Sequence, residues 1–470
     1  MNKDLVIRMT GRQHAIVCRH LLPGDGLEAA AILLCGRHDG DRHCLSVMEL
    51  CLVPYDACVR QENLLRWPTS YLEPLLARAA AERLAILKMH SHPGGFDQFS
   101  DTDDESDREF FEATDAWCDD GLPHACAVLL PDGRIFGRTG APNNGFSPVS
   151  MISVAGESID YFYDEEPEQV PDFADRHAQV LGRGTVASIR QLRCAVIGCS
   201  GTGSIVVEQL YRLGVGELVL VDPDSIGVEN LNRILNSKQK DASVKRSKVE
   251  VMQSAILETE LGTTVFPFAR DLCDPEVIRM VAGCDMLFGC VDSIVGRHVL
   301  NKIAATYCIP YIDVGIGIKA DGLGGVSHVT GAVHYLQPDG SSLLSRGVYS
   351  LEDLRADALR RNDPTEFHRR LSEGYIRGAA VTSPAVISVN MTFAGLAVTE
   401  FLCRLHAIRD EGNQGFASQR FSVNAGFFSC EPDGERCSII SRNLGRGEMT
   451  PLLGMPELSD STAEVMTNAD

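Results

Sequence analysis

The sequence predicts an α/β protein with two folded parts: an N-terminal α+β domain over residues 1–142 and a domain with a doubly wound parallel sheet over residues 172–445. In the first part, apolar runs such as AAAILLC and ACAVLL alternate with turn residues around one helical stretch near residues 69–84. In the second part, LRCAVIGCSGTGS, IVVEQLYRLG and ELVLVDPD follow one another as strand, glycine-rich turn, helix and strand. This alternation is typical of parallel sheets.

Shifts in composition mark the boundaries of these parts. Residues 143–171 are enriched in Pro, Gly and acidic residues, which predicts an acidic linker, and residues 446–470 are predicted to form a flexible tail. The segment PDGRIFGR at residues 131–138 predicts a hairpin turn that closes the first domain. The apolar stretch 385–402 is interrupted by polar residues, so we expect a buried helix there rather than a membrane span.

Charge and cysteine usage exclude several classes of protein. The chain has 64 acidic and 43 basic residues, and its net charge of −21 excludes nucleic-acid binding through a broad basic face and disfavours anionic membranes. The N-terminus lacks the apolar segment of a secretory signal. The 16 cysteines include no CxxC pair and lie mostly in apolar strands, as in a reduced protein. We therefore expect a cytoplasmic protein without nucleic-acid or membrane partners.

The segment KMHSHPGGFDQFSDTDDESD contains the residue types of a metal site. His90 and His92 follow an apolar strand, whose period of two places both imidazoles on one face, and Ser100 can begin a helix whose first turn holds Asp103. Two histidines and one carboxylate leave a fourth zinc position for water, as catalytic zinc sites do. The Ser-x-x-Asp pattern and the histidine pair each have an alternative interpretation without a metal. Ser-x-x-Asp also forms capping boxes at helix N-termini, and exposed histidines are common on strands.

Together these residues resemble the JAB/MPN metalloproteases, which carry the JAMM motif and cut isopeptide or peptide bonds after ubiquitin-like C-termini. The resemblance implies His90, His92 and Asp103 as zinc ligands. In that family a glutamate lies upstream on a helix that leads into the first core strand, and Glu28 in GLEAAAILLCG matches this place. Glu28 would then take the proton from zinc-bound water, and Ser100 would stabilise the oxyanion. An ordinary acid on a helix surface is the alternative for Glu28.

A glycine-rich turn between a strand and a helix, VIGCSGTGS, predicts a phosphate-binding site. Gly198, Gly201 and Gly203 allow a tight turn and close approach of the backbone, and the helix N-terminus supplies amide donors. Asp222 ends the next strand, about twenty residues on, where dinucleotide-binding proteins hold a ribose. These four residues alone leave an NAD-dependent oxidoreductase open as an alternative.

The residues that follow resemble the ThiF family, the adenylating domain shared by ubiquitin-activating enzymes and the activators of sulfur-carrier proteins. DPD is followed by ENLNR, by SVKRSKVE and by FGCVDSIVGRHVLN, in the family's order. The resemblance implies a Rossmann-like fold with ATP and magnesium as ligands. By position it implies that Asp222 holds the ribose, that Asn230, Arg233 and Lys248 contact the phosphates, and that Asp292 coordinates magnesium.

Two further features concern partners. FADRHAQVLGRG resembles the family's entry helix, so Arg176 matches an arginine that reaches the partner protomer's ATP, although His177 stands where Gln is common. A homodimer is therefore expected.

Many relatives carry paired CxxC motifs or a thioester-forming cysteine, whereas here Cys430 and Cys437 are the remaining candidates and are interpreted as unreactive. We expect the acyl-adenylate to pass to a separate cysteine-bearing conjugating enzyme or another acceptor.

The coexistence of both patterns predicts a bifunctional enzyme of a prokaryotic ubiquitin-like modifier system. The zinc domain would trim or deconjugate the modifier, and the second domain would adenylate its C-terminal carboxylate, in a pairing that resembles those of anti-phage conjugation operons. One alternative is activation of a sulfur-carrier protein for cysteine or cofactor biosynthesis, and another is a catalytically inactive binding module. The charged segment 349–378 either covers the active cleft, grips the carrier's tail or forms a solvated helical face.

Overall fold

The computed structural model describes residues 4–61, 64–141, 145–165, 167, 170–321, 323, 325–372 and 385–458. The chain divides into two units, of which the first comprises Met1–Pro167, Ala305–Cys308 and Asn443–Gly454 and the second the remaining residues. Residues 459–470 of the predicted tail and residues 373–378 of the charged segment lie outside the described residues.

Within the described residues, the first unit has a nine-stranded mixed sheet and a separate two-stranded hairpin. Its strands are β1 Leu5–Thr10, β2 Ala30–Asp39, β3 His43–Leu52, β4 Val59–Gln61, β5 Leu64–Arg66, β6 Ala85–Ser91, β7 Ala125–Leu129, β8 Ile135–Ala141, β9 Gly145–Pro148, β10 Met151–Ala155 and β11 Ile159–Tyr163. Its helices are α1 Gly11–Leu21, α2 Glu73–Glu82 and α3 Asp101–Cys118. The large sheet has the order β11-β10-β1-β3-β2-β6-β7-β8-β9, and β4 pairs with β5.

Both faces of the large sheet are buried, because its strands present apolar residues in both directions. On β2, Ala31 and Leu33 face the core that includes Val17 of α1. Ile32 lies on the other face, in the core that Phe110 of α3 completes. Strand β6 is thereby held in the middle of the sheet, with its C-terminal end at the candidate metal site.

The structure corrects the predicted acidic linker at residues 143–171. Strands β9, β10 and β11 lie in this stretch and extend the first sheet at its two edges. β10 pairs in parallel with β1, so that Ile152 lies opposite Ile7. The apolar run MISVA is short and is flanked by Pro, Gly and acidic residues, which hid it from a composition-based boundary. The first unit consequently continues to Pro167.

The beginning of the predicted flexible tail is packed rather than exposed. Leu452 and Leu453 are buried, and the segment Asn443–Gly454 belongs to the first unit. Burial of two leucine side chains stabilises a segment by several kcal/mol, on the order of 1.5–3 kcal/mol each. The flexible tail stays a prediction for residues 459–470.

The second unit contains an eight-stranded sheet within the described residues. Its strands are β12 Arg193–Ile197, β13 Glu217–Val221, β14 Thr264–Phe268, β15 Met286–Gly289, β16 Tyr311–Ala320, β17 Val326–Leu336, β18 Ser418–Ser422 and β19 Phe427–Glu431. Its helices are α4 Asp175–Leu181, α5 Arg183–Gln191, α6 Gly201–Leu213, α7 Gln239–Ser243, α8 Lys248–Glu258, α9 Pro275–Ala282, α10 Ile294–Thr306, α11 Leu351–Asn362, α12 Pro364–Ser372 and α13 Ile387–Leu405.

The strand order β14-β13-β12-β15-β16-β17-β18-β19 explains where a ligand can bind. The first five strands are parallel, and the last three continue in antiparallel fashion. The chain moves outward from β12 to β14 and then returns to place β15 on the other side of β12. Such a switch point opens a crevice at the carboxyl ends of the strands. In the part of the chain that the structure describes, no helix has both the length and the apolar character that a bilayer crossing requires.

Candidate active sites

Two histidines and an aspartate converge at the end of β6 in the first unit. His90 Nε2 lies 3.1 Å from His92 Nε2 and 3.0 Å from Asp103 Oδ1, and His92 Nε2 lies 3.5 Å from Asp103 Oδ2. Among the described residues, these three side chains form a cluster whose ligand atoms all lie within 4.8 Å of one another. The β-strand period places the two imidazoles on one side, and the first turn of α3 brings the carboxylate to them.

The chemistry of this donor set fits a zinc ion. His92 Nδ1 lies 2.7 Å from the carbonyl oxygen of Phe96 and donates to it, which leaves Nε2 as the ring nitrogen that faces the other two side chains and would bind a metal ion. Two imidazole nitrogens and one carboxylate oxygen are the ligands of open, catalytic zinc sites. Burial works to raise the pKa of Asp103, but hydrogen bonds with His90 and His92 lower it well below its ordinary value, so the carboxylate is charged.

Ser100 lines the cavity beside this cluster and is hydrogen-bonded to Asp103. It is the N-cap of α3, and its hydroxyl donates to Asp103 Oδ2 at 2.7 Å while accepting from the Asp103 amide. The Ser100 amide donates to the same carboxylate oxygen. Asp103 is therefore both the predicted metal ligand and the second residue of the capping box that Ser100 begins. The predicted contact of Ser100 with an oxyanion stays a prediction.

Glu28 lines the same cavity of about 490 Å³ as His90, His92, Ser100 and Asp103. Burial raises the pKa of Glu28, against the opposing effect of the two histidines, so its carboxyl group holds a proton more readily than an exposed glutamate does. The structure corrects its predicted helical location: α1 ends at Leu21, and Glu28 lies in the loop before β2. Pro23 follows the end of the helix, where proline cannot continue it. Gly24 and Gly26 of the same loop have positive φ, so the backbone is not helical before Glu28.

Sequence reasoning missed two features of this cavity. Lys88, two residues before His90 on β6, also lines it and forms a buried ion pair with Asp107 of α3. Side chains two residues apart on a strand share a face, so the position of Lys88 relative to His90 was a sequence signal that Lys88 faces the same cavity. Leu65 of β5 and Trp67, directly after β5, form an apolar wall, which no spacing to the histidines indicated.

In the second unit, the glycine-rich turn lies between β12 and α6 at the switch point of the sheet. Gly198 has φ of +89°, and a Cβ there would meet the carbonyl of Cys290. A Cβ at Gly203 would overlap the carbonyl oxygen of Gly198. Gly198 and Gly201 line a cavity of about 740 Å³, whereas Gly203 packs beneath the turn. The turn thus exposes the N-terminus of α6, a favourable place for phosphate oxygens.

Asp222 and Lys248 lie side by side in this cavity. Asp222 directly follows β13, and its carboxylate accepts from the Cys199 amide at 2.7 Å and from the Asp224 amide at 2.9 Å. Lys248 Nζ lies 3.3 Å from Asp222 and 2.7 Å from Asp224. Burial raises the pKa of Asp222, and the Lys248 charge opposes that shift. The pair joins the first residue of α8 to the end of β13.

Three further predicted residues line the same cavity: Asn230, Arg233 and Asp292. Asn230 Oδ1 accepts from the Gly227 amide, which fixes the short helix Val228–Asn230. Arg233 donates to the carbonyl of Glu229 at 2.6 Å, and its aliphatic stem packs on Gly201. Asp292 follows β15, the strand adjacent to β12.

The structure does not bring Arg176 to the cavity of its own chain. It lies on α4, is exposed, and donates to Gln179 one turn later at 3.3 Å. A role toward a partner protomer, as the sequence predicted, requires an assembly of two chains and stays a prediction.

The cavity also holds residues that sequence reasoning did not select. Arg297 of α10 pairs with the fully buried Asp313 of β16 at 3.3 Å. Arg360 and Arg361 line the cavity from α11, within the charged segment 349–378. Asn390 of α13 donates from Nδ2 to Thr202 Oγ1 at 2.8 Å, while its buried Oδ1 has no hydrogen-bond partner within the described part of the chain. A buried acceptor such as Asn390 Oδ1, unpaired in a polar cavity, fits a bound ligand that donates a hydrogen bond to it.

Comparison with known proteins agrees with this geometry. The ThiF family matches residues 174–435, more than half of the chain. The chain belongs to the ThiF family. Residues 12–130 match the prokaryotic homologs of the JAB domain, so the chain is a fusion of a JAB domain with a ThiF domain. The predicted fold class, an N-terminal JAB/MPN α+β domain followed by a Rossmann-like doubly wound ThiF-type domain, is confirmed.

Individual relatives match part of the chain. The molybdopterin-synthase adenylyltransferase of Salmonella typhimurium is 30% identical over 135 residues, which are 29% of this chain and 53% of that protein. The ubiquitin-activating enzyme E1-like protein of Saccharomyces cerevisiae is 26% identical over 138 residues, 29% of this chain and 21% of that protein. The chain therefore spans about half or less of the length of these relatives. A solved structure of E. coli MccB with MccA-N7isoASN is 17% identical with a TM-score of 0.45, covering 60% of this chain and 78% of that chain.

Proposed function

We propose that the ThiF domain adenylates the C-terminal carboxylate of a ubiquitin-like protein with ATP and magnesium, and that the JAB domain hydrolyses peptide or isopeptide bonds after the same C-terminus with zinc. The main support for the adenylation is the cavity of about 740 Å³ in the second unit. It is lined by the glycine turn together with Asp222, Arg233, Lys248 and Asp292. The names of the relatives support this proposal, because they include an adenylyltransferase and a ubiquitin-activating enzyme.

In the proposed adenylation, a carboxylate oxygen of the carrier attacks the α-phosphorus of ATP. The bond between that phosphorus and the bridging oxygen breaks, and pyrophosphate leaves with the electron pair. Arg233, Lys248 and the N-terminus of α6 would neutralise the phosphate charge, and Asp222 would hold the ribose. Magnesium, held by Asp292 and phosphate oxygens, would supply additional charge neutralisation.

In the proposed hydrolysis, Glu28 accepts a proton from water and delivers it to the leaving amine. His90, His92 and Asp103 would hold a zinc ion, which lowers the pKa of water and polarises a carbonyl group. Leu65 and Trp67 form an apolar wall on one side of the cavity. Ser100 keeps the Asp103 carboxylate oriented through two hydrogen bonds.

Pyrophosphate exchange tests the adenylation. The full chain is incubated with ATP, magnesium, labelled pyrophosphate and a purified ubiquitin-fold protein that ends in Gly-Gly. We expect carrier-dependent incorporation of label into ATP, and none with Arg233→Ala or with a carrier that lacks its terminal glycine. Absence of exchange across a panel of such carriers would contradict the proposal.

Glu28→Gln tests the hydrolysis. Because Gln keeps the shape of Glu but accepts no proton, the variant should bind zinc with the parent's stoichiometry and lose cleavage of a C-terminal amide on a ubiquitin-fold protein. Retained cleavage would reject Glu28 as the base. Loss of zinc from the variant would indicate a structural role instead.

A sulfur-carrier protein is the second candidate substrate, since an adenylyltransferase and sulfurtransferase of Meyerozyma guilliermondii is among the relatives. Mass spectrometry of the carrier after incubation with a sulfur donor separates the two, because a thiocarboxylate differs in mass from a carrier conjugated to a protein. A homodimer that uses Arg176 in trans, transfer to a separate conjugating enzyme, a cytoplasmic location and a role in anti-phage defence belong to the same proposal.

A further inference from the structure

The loop that carries Glu28 is held by the guanidinium group of Arg60 on β4. Its Nε donates to the Glu28 carbonyl at 2.7 Å, and Nη2 donates to the Leu27 carbonyl at 2.9 Å. Nη1 and Nη2 also donate to the two carboxylate oxygens of Asp25, at 2.8 and 3.0 Å. All three nitrogens of the guanidinium group therefore bind one four-residue segment, and the Arg60 side chain is only 9% exposed.

This hold matters because the loop between α1 and β2 has no regular secondary structure to fix it. Gly24 and Gly26 have positive φ, and no atom lies within 4 Å of where their Cβ atoms would be. No neighbouring side chain therefore packs against the backbone of the first half of the loop at these two positions. Arg60 binds the carbonyl of Glu28 and the carbonyl just before it, so it fixes the backbone on both sides of the Glu28 Cα.

The same side chain also connects this loop to the cavity wall. In the β4–β5 register, Arg60 lies directly opposite Leu65, and directly opposed residues of an antiparallel pair share a face. Leu65 and Trp67 line the cavity that Glu28 lines. On its other side Arg60 stacks on the ring of Tyr55, 4.6 Å from its centroid, and the Tyr55 hydroxyl donates to the His20 carbonyl.

We propose that Arg60 is a positioning residue that fixes Glu28 relative to the His90, His92 and Asp103 cluster. The inference rests on the proposed hydrolysis, in which Glu28 moves the proton. A displacement of about 1 Å at a reacting group can cost about 10²-fold in rate, so a mobile loop would be a poor carrier for this carboxylate. The planar fork of Arg suits four acceptors in fixed directions, whereas Lys offers a single nitrogen.

Hydrogen–deuterium exchange of the full chain tests the hold directly, without zinc or substrate. We compare the parent with Arg60→Ala, Arg60→Lys and Arg66→Ala; Arg66 is an exposed arginine of the same hairpin that does not line the cavity. In Arg60→Ala, the peptide covering residues 22–30 should exchange about tenfold faster or more, because the loop opens locally. Arg60→Lys should be intermediate and Arg66→Ala unchanged. Unchanged exchange in Arg60→Ala overturns the proposal.

Zinc binding and turnover complete the test. Arg60 contacts none of the three proposed ligands, so zinc affinity should stay within about twofold of the parent, while kcat for cleavage of a fluorogenic C-terminal amide falls about 10- to 100-fold at unchanged KM. Loss of zinc affinity equal to the loss of kcat would reveal general destabilisation and overturn the positioning role. A parent that binds zinc but cleaves no reporter would refute the proposed hydrolysis and the catalytic purpose of Arg60, and the exchange result would still establish whether Arg60 holds the loop.

Discussion

Lys248 donates from Nζ to Asp224 across 2.7 Å in the cavity that the glycine-rich turn lines. The lysine is buried, whereas the Asp224 side chain is largely exposed. Burial works to lower the pKa of Lys248, but the carboxylates of Asp222 and Asp224 outweigh it and raise the pKa overall. The ammonium group is therefore charged at neutral pH and holds two carboxylates that would otherwise repel a phosphate.

Replacing this lysine should abolish nucleotide chemistry. In Lys248→Met, the two carboxylates lose their counter-charge, and carrier-dependent pyrophosphate exchange should fall by about 10²- to 10³-fold, the cost of losing one preorganised charge donor. Lys240→Met, an exposed lysine of α7, is the matched control and should keep full exchange. Equal rates in the two variants would show that Lys248 serves structure alone.

Gly203→Ala should destabilise the second unit and eliminate ATP binding. The added methyl group would overlap the carbonyl oxygen of Gly198, so the glycine turn must shift, at a cost of about 1–3 kcal/mol or more. Gly395→Ala in α13 is the control, since no atom lies within 4 Å of its Cβ position and alanine is the better helix former. Thermal unfolding with and without ATP measures both effects, and an unchanged melting temperature in Gly203→Ala would contradict the expectation.

Asp103→Asn should remove zinc binding without unfolding α3. The amide oxygen of Asn can still accept from the Ser100 amide at the helix cap, but the negative charge that faces His90 and His92 is lost. We expect zinc affinity to fall by more than about 100-fold in a competition titration with a chromophoric chelator. Asp101→Asn, a neighbouring acid in the same first turn, should bind zinc as the parent does. Comparable losses in both variants would indicate only a change in surface charge.

Acid should destabilise the first unit through His124. Burial, together with the charge of Arg37, lowers the pKa of His124 from its ordinary 6.5 to about 3. The unfolded chain therefore binds one more proton than the folded chain between these values, so stability is complete above about pH 6.5 and is lost as pH falls. The loss is about 1.4 kcal/mol per pH unit within that window. Melting temperatures at about pH 7 and about pH 5 should differ less in His124→Asn than in the parent, and His368→Gln should keep the parent's difference.

Arg360→Ala tests how the charged segment acts on the nucleotide cavity. Arg360 lines the cavity from α11, whose position is fixed where Asp357 accepts from the Val295 amide at 3.0 Å. Removing one partly solvated charge should raise the KM for ATP by about three- to tenfold, equivalent to about 1 kcal/mol. Arg355→Ala on the same helix is exposed and should leave KM unchanged. If both variants match the parent, α11 contributes only a solvated face.

Local patterns in the sequence were sufficient for the main elements and for most candidate site residues. A strand period of two aligned His90 with His92, and the capping box at Ser100 supplied the helix start that carries Asp103. The order of motifs along the second unit selected residues that the switch point then gathers at one cavity. These features depend on neighbours within a few residues or on the rule that parallel strands end at a common edge.

The sequence by itself determined the two fold types and the chemistry of their donors, because helix, strand and turn preferences are local. Only the tertiary structure decided that MISVA extends the first sheet, that Glu28 lies in a loop held by Arg60, and that Leu65 and Arg297 line the cavities. Each of those results depends on contacts between segments distant in the chain, such as Arg60 with Asp25 or Arg297 with Asp313. Pairing across such distances is set by how the whole sheet packs, and no short window of sequence contains that information.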